Sequence, residues 1–306
     1  MKLYFAPLEG ITTYTYRNTH AKMFGGCDAY FAPFVNPSDN EKVGKRVIRD
    51  ILPERNKNMP LKIQVLTNSS DAFLRFAGMA KEMGYDEINI NVGCPASTVV
   101  KKGRGAGFLR DTEALERFFD EIFTKTDIKI SVKTRTGYFS NDEMDELMRI
   151  YNKYPLSLLV IHPRCRADFY NGTPHMEVFE KAIATSKNPV CISGDIRTVA
   201  DYRRISDKFP DMDSVMLGRG AIANPALFRE IRGGKAVTTE EIIEFSRELM
   251  KNYLTVLQSE VFTLYKLKEI WVYILQNYPE EKKIAKAVKK SRNLNEFFTE
   301  AEYLRE

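Results

Sequence analysis

Short runs of β-branched and aromatic residues recur along the chain, each followed by a stretch with helical spacing. Strand character is found at 2–7, 28–34, 61–66, 87–92, 128–133, 156–162, 189–194 and 213–218. The ends of successive runs lie roughly 25 to 40 residues apart, which is the length of one strand, one loop and one helix. The pattern therefore predicts eight β/α units.

The stretches between the runs have apolar residues on one helical face. In 71–84 the apolar residues are Phe73, Phe76, Ala77, Ala80 and Met83, and Gly84 supplies a stop signal. The segment 115–123 repeats this arrangement with Leu115, Phe118, Phe119 and Ile122. Eight alternations favour a parallel sheet closed into a (β/α)8 barrel. An open doubly wound sheet is the rival, but no G-x-G-x-x-G follows the first strand.

The pattern changes near residue 238. From Thr238 onward the chain has helical periodicity and no strand candidate, with Thr238 or Thr239 as N-cap and acidic residues in the first turn. We expect a catalytic β/α barrel over 1–237 and a small all-helical domain over 238–306.

Composition and charge narrow the class of protein. The chain has 306 residues, 43% hydrophobic and 28% charged, as soluble globular proteins do. The start lacks the apolar core of a signal peptide, and no stretch approaches the ~20 apolar residues of a membrane helix. We expect a cytoplasmic protein without a membrane partner. The net charge of +5 permits a polyanionic partner without requiring one.

The cysteines and histidines give little sign of a metal site or a disulfide framework. Cys27, Cys94, Cys165 and Cys191 are far apart and form no C-x-x-C pair. His162 and Cys165 form H-x-x-C, but these two residues share one loop with no acidic cluster nearby. We expect no metal.

Polar residues are concentrated where the predicted strands end, which is where barrels of this kind place their active sites. These residues are Gln64, Asn89, Asn91, Cys94, Lys133, Arg135, His162, Arg164 and Arg166. Strands seven and eight end in S-G-D-I-R-T (193–198) and L-G-R-G-A-I-A-N-P (217–225). Glycines there let backbone N–H groups approach a phosphate, and the Arg219 guanidinium can donate two hydrogen bonds to it.

A phosphate site on these loops, reached by Lys133, Gln64 and His162, suits flavin mononucleotide (FMN). A cation near the N1–C2 edge stabilises the reduced flavin, and an amide can bond the ring edge. Purely structural roles stay open for all three residues. Lys133 could extend from the barrel mouth into solvent, His162 could cap a strand end, and Cys94 could be an inert packed thiol. Beside Lys101 or Lys102, Cys94 could instead have a pKa suited to proton exchange.

A cluster of basic residues lies in the helical tail. Lys282, Lys286, Lys289 and Lys290 lie close to one helical face, while Ile284, Ala285 and Val288 are free to pack. The face is either an ordinary solvated surface or a ridge that binds a phosphate backbone.

Five motifs in this order resemble the flavin-dependent tRNA-dihydrouridine synthases. They are N-V-G-C-P (91–95), S-V-K-T-R-T-G (131–137), H-P-R-C-R (162–166), G-D-I (194–196) and G-R-G-A-I-A-N-P (218–225), within a likeness that covers the whole chain. The resemblance implies an FMN-binding barrel with a helical domain. It also implies reduction of the C5–C6 double bond of uridines in tRNA, with NADPH as reductant, by a monomer.

The resemblance assigns roles to individual residues. Cys94 matches the proton donor to C5 of uracil, and Asn91 matches the asparagine that faces the flipped base. The matches to flavin contacts are Pro7, Leu8, Glu9, Gln64, Lys133 and His162, with Ser193, Gly194, Asp195, Gly218 and Arg219 on the phosphate side. The expected RNA contacts are Lys101, Arg135, Arg164 and Arg166 at the mouth, and Lys286, Lys289 and Lys290 on the tail.

Some positions depart from the family pattern. Leu8 and Thr13 replace a methionine and an aspartate in the first turn, and F-V-N-P (34–37) lacks a serine-alanine pair. Met176 and Phe179 lie where a tryptophan is common. These departures bear on RNA target and position more than on activity.

Three other functions are weighed against this one. Ribosomal RNA could be the substrate. An FMN barrel could act on a free pyrimidine, as dihydroorotate dehydrogenases do, but the basic tail, Arg164 and Arg166 favour RNA. An RNA-binding module without catalysis is disfavoured, since Cys94, Lys133 and His162 are all present.

Overall fold

The computed structural model describes residues 1–37, 45–57 and 59–304. Eight parallel strands close into a barrel, with β1 pairing both β2 and β8. The strands are β1 (Lys2–Phe5), β2 (Ala29–Phe31), β3 (Leu61–Val65), β4 (Glu87–Val92), β5 (Lys129–Arg135), β6 (Leu158–His162), β7 (Val190–Ser193) and β8 (Ser214–Leu217). The predicted fold class is confirmed. β1 and β2 end before the predicted runs do, because Pro7 and Pro33 cannot donate to a ladder.

Helices follow the strands on the outside of the barrel and continue beyond it. They are α1 (Tyr14–Met23), α2 (Lys45–Ile51), α3 (Ser70–Glu82), α4 (Ser97–Val100), α5 (Thr112–Lys125), α6 (Met144–Tyr151), α7 (Met176–Thr185), α8 (Val199–Lys208), α9 (Arg219–Ala223), α10 (Leu227–Ile231), α11 (Thr239–Leu257), α12 (Glu260–Ile274), α13 (Lys282–Lys290) and α14 (Leu294–Ala301). Within the described residues, none of these helices has the length and apolarity needed to span a bilayer.

The apolar faces predicted for α3 and α5 are buried. Phe73, Phe76 and Ala77 on α3 and Phe118 and Phe119 on α5 pack into one core. The Ser69 hydroxyl and the Asp111 carboxylate cap these helices by accepting from backbone N–H groups of the first turn. Side-chain caps and an apolar stripe together explain why each helix begins where it does.

The interior of the barrel is divided by polarity. On β3, β4 and β5 alternate residues point inward, and those residues include Gln64, Asn89 and Ser131, all fully buried. Most of the remaining interior is filled by an apolar cluster of Ala6, Phe31, Leu158, Val160, Cys191 and Met216. We call these parts the polar half and the apolar half.

The helices after residue 238 pack onto the side and mouth of the barrel. Thr238 and Glu241 form a capping box at the start of α11, directly after the predicted boundary. Tyr16 of α1 meets Phe245 of α11 edge to face at 5.6 Å. The Lys266 ammonium on α12 donates to the Gly10 carbonyl at 2.7 Å. α12 thereby lies beside the carboxyl ends of the strands.

Candidate active site

Two adjoining cavities open where the strands end. The larger, of about 440 Å³, lies over β6, β7 and β8, and the smaller, of about 250 Å³, lies over β1, β3 and β4. Both are lined by Pro7, Leu8, Lys133, Tyr170 and Tyr273. Their shared wall joins them into one elongated candidate site.

The larger cavity contains the residues expected around a cofactor phosphate. Ser193, Gly194, Asp195, Gly218 and Arg219 line it. Gly194 has φ +142°, and a Cβ there would lie 2.8 Å from Cδ2 of His162. A Cβ on Gly220 would lie 2.3 Å from the Ile196 carbonyl oxygen, so the loops after β7 and β8 touch only because glycine is present.

His162 is the neutral hydrogen-bonding group of this cavity. Burial and the positive charges of Arg135 and Lys133 hold the pKa of its imidazole well below the usual range. Arg164 lies 3.1 Å from Nε2, and a guanidinium can only donate, so Nε2 accepts. The ring proton is therefore on Nδ1.

Asp195 bridges two arginines beside the cavity. Its carboxylate accepts from Arg164 and, at 2.7 Å, from Arg219. Burial raises the pKa of Asp195, but the hydrogen bond from Arg164 and the positive charges of Arg164, Arg219 and Arg197 together outweigh it, so the pKa is lowered. Arg219 also lies over the Tyr170 ring, 4.6 Å from the centroid. The guanidinium is thus fixed at the rim by an anion and an aromatic face.

Arg135 and Arg164 occupy positions different from those expected for RNA contacts. They are 1% and 0% exposed. Arg135 donates to the carbonyls of Gly93 and Cys165, and Arg164 to those of Asn171 and Gly172. The structure places both guanidinium groups beneath the surface, where they tie loops together. Direct RNA contact at an exposed mouth does not suit this burial.

Cys94 lines the smaller cavity and is held by Asn91. The Asn91 Oδ1 accepts from the backbone N–H of Gly93 at 3.0 Å and of Cys94 at 2.9 Å. Gly105, at φ +55°, packs against Cys94, where an added Cβ would lie 2.8 Å from its carbonyl oxygen. The thiol therefore has a defined place at the end of β4, half-buried and facing the cavity.

The charges that act on Cys94 are not the predicted ones. Burial raises the pKa of its thiol, and Glu9 adds to this while Lys133 and Arg135 oppose it. Lys101 and Lys102 are exposed and are not among the groups with the largest effects on this pKa. A raised pKa keeps the thiol protonated near neutral pH, which is the form that a proton donor needs.

Lys133 lies between the two cavities. Burial, reinforced by the charge of Arg135, lowers the pKa of its ammonium to about 8. Among the described residues no hydrogen-bond partner of its Nζ is found, although both cavities adjoin it. A half-buried cation in this position is available to an electron-rich ligand edge.

The remaining predicted residues are spread around this core. Gln64 and Glu9 line the smaller cavity, Glu9 being exposed. Lys101 is exposed, and Arg166 is half-buried over the Tyr138 ring at 5.4 Å. The lysines Lys286, Lys289 and Lys290 are exposed on α13, whose Ile284 and Val288 are buried.

The departures from the family pattern have separate structural settings. Leu8 lines both cavities, and Thr13 is the N-cap residue of α1 without a side-chain cap bond. Val35 is buried and pairs with Val65 beyond the end of β2. Phe179 is buried against Phe209, so it fills core outside both cavities.

Sequence reasoning missed several residues of the larger cavity. These are Tyr170, Ile196, Arg197, Val272, Tyr273 and Gln276. Arg197 lies inside the S-G-D-I-R-T motif and could have been included. The three residues from α12 and the turn after it had no signal, because their position depends on how the helical region packs. The larger cavity therefore draws on both predicted domains.

Within the part of the chain that the structure describes, no group of three or more His, Cys, Asp or Glu side chains is placed to hold a metal ion.

Comparison with known proteins gives matches over most of the chain. A family model described as dihydrouridine synthase (Dus) matches residues 4–306. The tRNA-dihydrouridine(16) synthase of Pseudomonas syringae pv. tomato is 28% identical over 294 residues, covering 92% of each chain. The tRNA-dihydrouridine synthase B of Pseudomonas aeruginosa is 26% identical over 233 residues, covering 75% of this chain and 68% of its own.

Solved structures share the fold at low identity. Morphinone reductase aligns with a TM-score of 0.51 at 13% identity, covering 77% of this chain and 86% of its own. Histamine dehydrogenase from Rhizobium sp. 4-9 aligns with a TM-score of 0.56 at 14% identity, covering 82% and 49%. These likenesses support the barrel fold alone.

Proposed function

Because the chain belongs to the dihydrouridine synthase family, we propose that it reduces uridines in tRNA to dihydrouridine with FMN as cofactor and NADPH as reductant. The observation that carries the proposal is the pair of adjoining cavities: one has glycine-lined loops and Arg219, and the other has Cys94. Lys133 lies on the wall that they share.

The residues of the larger cavity fit an FMN. The Gly194 and Gly218 turns leave room for a phosphate beside Arg219, with Ser193 adding a hydroxyl. Lys133 would supply a half-buried cation toward the flavin ring. His162 has its Nδ1 proton available to a ring acceptor, since Nε2 accepts from Arg164. Pro7 and Leu8 form the apolar wall between the two cavities.

The chemistry divides between cofactor and protein. When bound, FMN that NADPH has reduced supplies the hydride that adds to C6 of uracil. Negative charge then builds on C5 and O4, and the Cys94 thiol gives its proton to C5. Two electrons and two hydrogens are thus added across the C5–C6 bond, and the Cys94 thiolate regains a proton from solvent.

The uridine must leave its stack to reach Cys94. A paired or stacked base cannot enter a half-buried cavity at a barrel mouth, so we propose that the base is flipped into the smaller cavity. Asn91 and Gln64 line this cavity and can meet the polar edge of the base. We propose that the exposed lysines of α13, with Lys101 and Arg166, hold phosphates of the RNA.

Mass spectrometry of RNA from cells with and without the gene tests the proposal. We expect loss of dihydrouridine at a defined position of tRNA, and position 16 is the first to examine because relatives carry it in their names. Loss confined to ribosomal RNA would refute tRNA as the substrate. Unchanged RNA, together with reduction of a free pyrimidine by the purified yellow protein, would refute the function.

A further inference from the structure

A line of hydrogen-bonded side chains crosses the polar half of the barrel and ends under Cys94. We propose that Glu87, Ser131, Asn89, Gln64 and Asn91, together called the amide relay, fix the orientation of both cavity amides and the position of Cys94. The consequence for catalysis depends on the proposed function, whereas the positioning of Cys94 does not. Glu87, Ser131 and Asn89 act as positioning residues through Gln64 and Asn91.

The relay arises from strand register. Gln64 lies opposite Asn89, and Asn89 lies opposite Ser131, so these three side chains form a row across β3, β4 and β5. Glu87 and Asn91 are two residues before and after Asn89 on β4 and therefore point to the same face. Gln64, Asn89 and Ser131 are 0% exposed, so water cannot replace any of these bonds at low cost.

Each link of the relay is short. Asn91 Nδ2 donates to Gln64 Oε1 at 2.9 Å, and Gln64 Nε2 donates to Asn89 Oδ1 at 2.7 Å. Asn89 Nδ2 donates to Ser131 Oγ at 2.9 Å, and Ser131 Oγ donates to Glu87 Oε1 at 2.8 Å. Donors that are aligned in one direction polarise one another and strengthen the line as a whole.

The direction of the line is fixed independently at each end. At the upper end the backbone N–H groups of Gly93 and Cys94 cannot turn, so only an oxygen of Asn91 can face them. Asn91 Nδ2 must then face Gln64. At the lower end the Glu87 carboxylate, which pairs with Lys62 at 2.7 Å, can only accept. Ser131 must therefore donate downward, and both ends require the same polarity.

This polarity determines which hydrogen-bonding groups of Gln64 and Asn91 face the smaller cavity. An amide nitrogen has two hydrogens, and the relay uses one of them on Gln64 and one on Asn91. No further acceptor for either nitrogen is found among the described residues, so one N–H of each is left where these side chains line the cavity. Such donors favour a carbonyl oxygen and oppose an amino group. In the proposed reaction they would stabilise charge that develops on a carbonyl oxygen of uracil.

Matched variants of Ser131 test the relay, because threonine and valine have nearly the same volume and differ by the hydroxyl. Hydrogen exchange at the Gly93 and Cys94 amides reports whether Asn91 still accepts from them. We expect at least tenfold faster exchange in Ser131→Val than in Ser131→Thr, with the outer helices exchanging alike. We also expect at least a tenfold lower kcat for tRNA reduction, with KM for tRNA and flavin reduction by NADPH unchanged.

Ser131→Ala removes the hydroxyl without added volume and serves if the larger residues prevent folding; it should behave like Ser131→Val. Equal exchange at Gly93 and Cys94 in all variants would overturn the relay, and so would an exchange increase spread evenly over the whole barrel. If the wild-type protein reduces no uridine, the proposed function fails, while the exchange comparison still decides whether the relay positions Cys94.

Discussion

The polar and apolar halves of the barrel interior perform different tasks within one sheet. In the polar half, Gln64, Asn89 and Ser131 are hydrogen-bonded to one another. Through Asn91 they hold the loop of Cys94 in place. In the apolar half, Val160, Cys191 and Met216 pack beneath the larger cavity mainly through apolar contacts, and the Cys191 thiol donates one long bond, to the Ile192 carbonyl at 3.5 Å. Directed bonds suit a site that must orient a reacting group, and packing suits a floor that must only exclude water.

Substitution of Cys94, at the end of the polar half, and of Cys191, in the apolar half, should give the largest difference between the two halves. Cys94→Ala should lower uridine reduction by about 10²- to 10⁴-fold, since a positioned general acid contributes that much. Cys191→Ala, in the apolar half, should keep the rate. Single-turnover oxidation of the reduced flavin by tRNA measures both, and FMN should stay bound in each. A Cys94→Ala protein that reduces uridine at the normal rate would remove the proton-donor role.

Lys133 places a charge at the junction of the halves, and its pKa near 8 predicts a pH dependence. Between pH 8 and about 10.5 the unfolded chain retains the lysine proton that the folded protein has lost. The stability of the flavin-free protein relative to Lys133→Met should therefore rise with pH in this window, by up to about 3 kcal/mol. Denaturant unfolding at several pH values measures it.

Lys129→Met is the matched control for Lys133→Met, since Lys129 lies on the same strand and is exposed. Its unfolding free energy should follow the wild-type pH dependence. An identical pH dependence in Lys133→Met and the wild type would show that Lys133 keeps its ordinary pKa.

Gly194→Ala tests the close packing beneath the larger cavity. With φ +142° and His162 at 2.8 Å, an added Cβ should cost about 1–3 kcal/mol and displace the imidazole. We expect FMN to bind at least tenfold more weakly. Gly78→Ala, in α3 with open space around it, should gain up to about 1 kcal/mol. Thermal unfolding measures the stability of both variants, and flavin titration measures their FMN affinity. Equal stability and equal FMN affinity in Gly194→Ala and Gly78→Ala would contradict this prediction.

The smallest expected effect is on tRNA binding by the exposed lysines of α13, which lie outside both halves of the barrel interior. Replacing Lys286, Lys289 and Lys290 by Gln should weaken tRNA binding and reduce the slope of log K against log salt by about 0.7–0.9 for each phosphate that the protein no longer neutralises. Replacing Lys125 and Lys181, exposed on α5 and α7, and Lys187, exposed in the loop after α7, should leave the slope unchanged. Equal slopes in the two triple variants would mean that α13 is an ordinary solvated face.

The sequence allowed more of the fold than of the site to be predicted. Strand runs and helical stripes gave the barrel and the core faces of α3 and α5, because periodicity is a local property. Cys94 and Lys133 could be named from their places after strands. Tyr170 and Tyr273 could not, because a loop after β6 and a helix far along the chain meet only through packing.

The division of the interior was itself determined by the sequence. E-I-N-I-N-V and K-I-S-V-K-T-R alternate polar with apolar residues, whereas L-L-V-I-H and V-C-I-S do not. Alternation determines which strands turn polar side chains inward, because successive residues of a strand point to opposite faces. Which polar groups meet was decided by register alone. Gln64 and Asn91 are 27 residues apart, and only the pairing of β3 with β4 joins them.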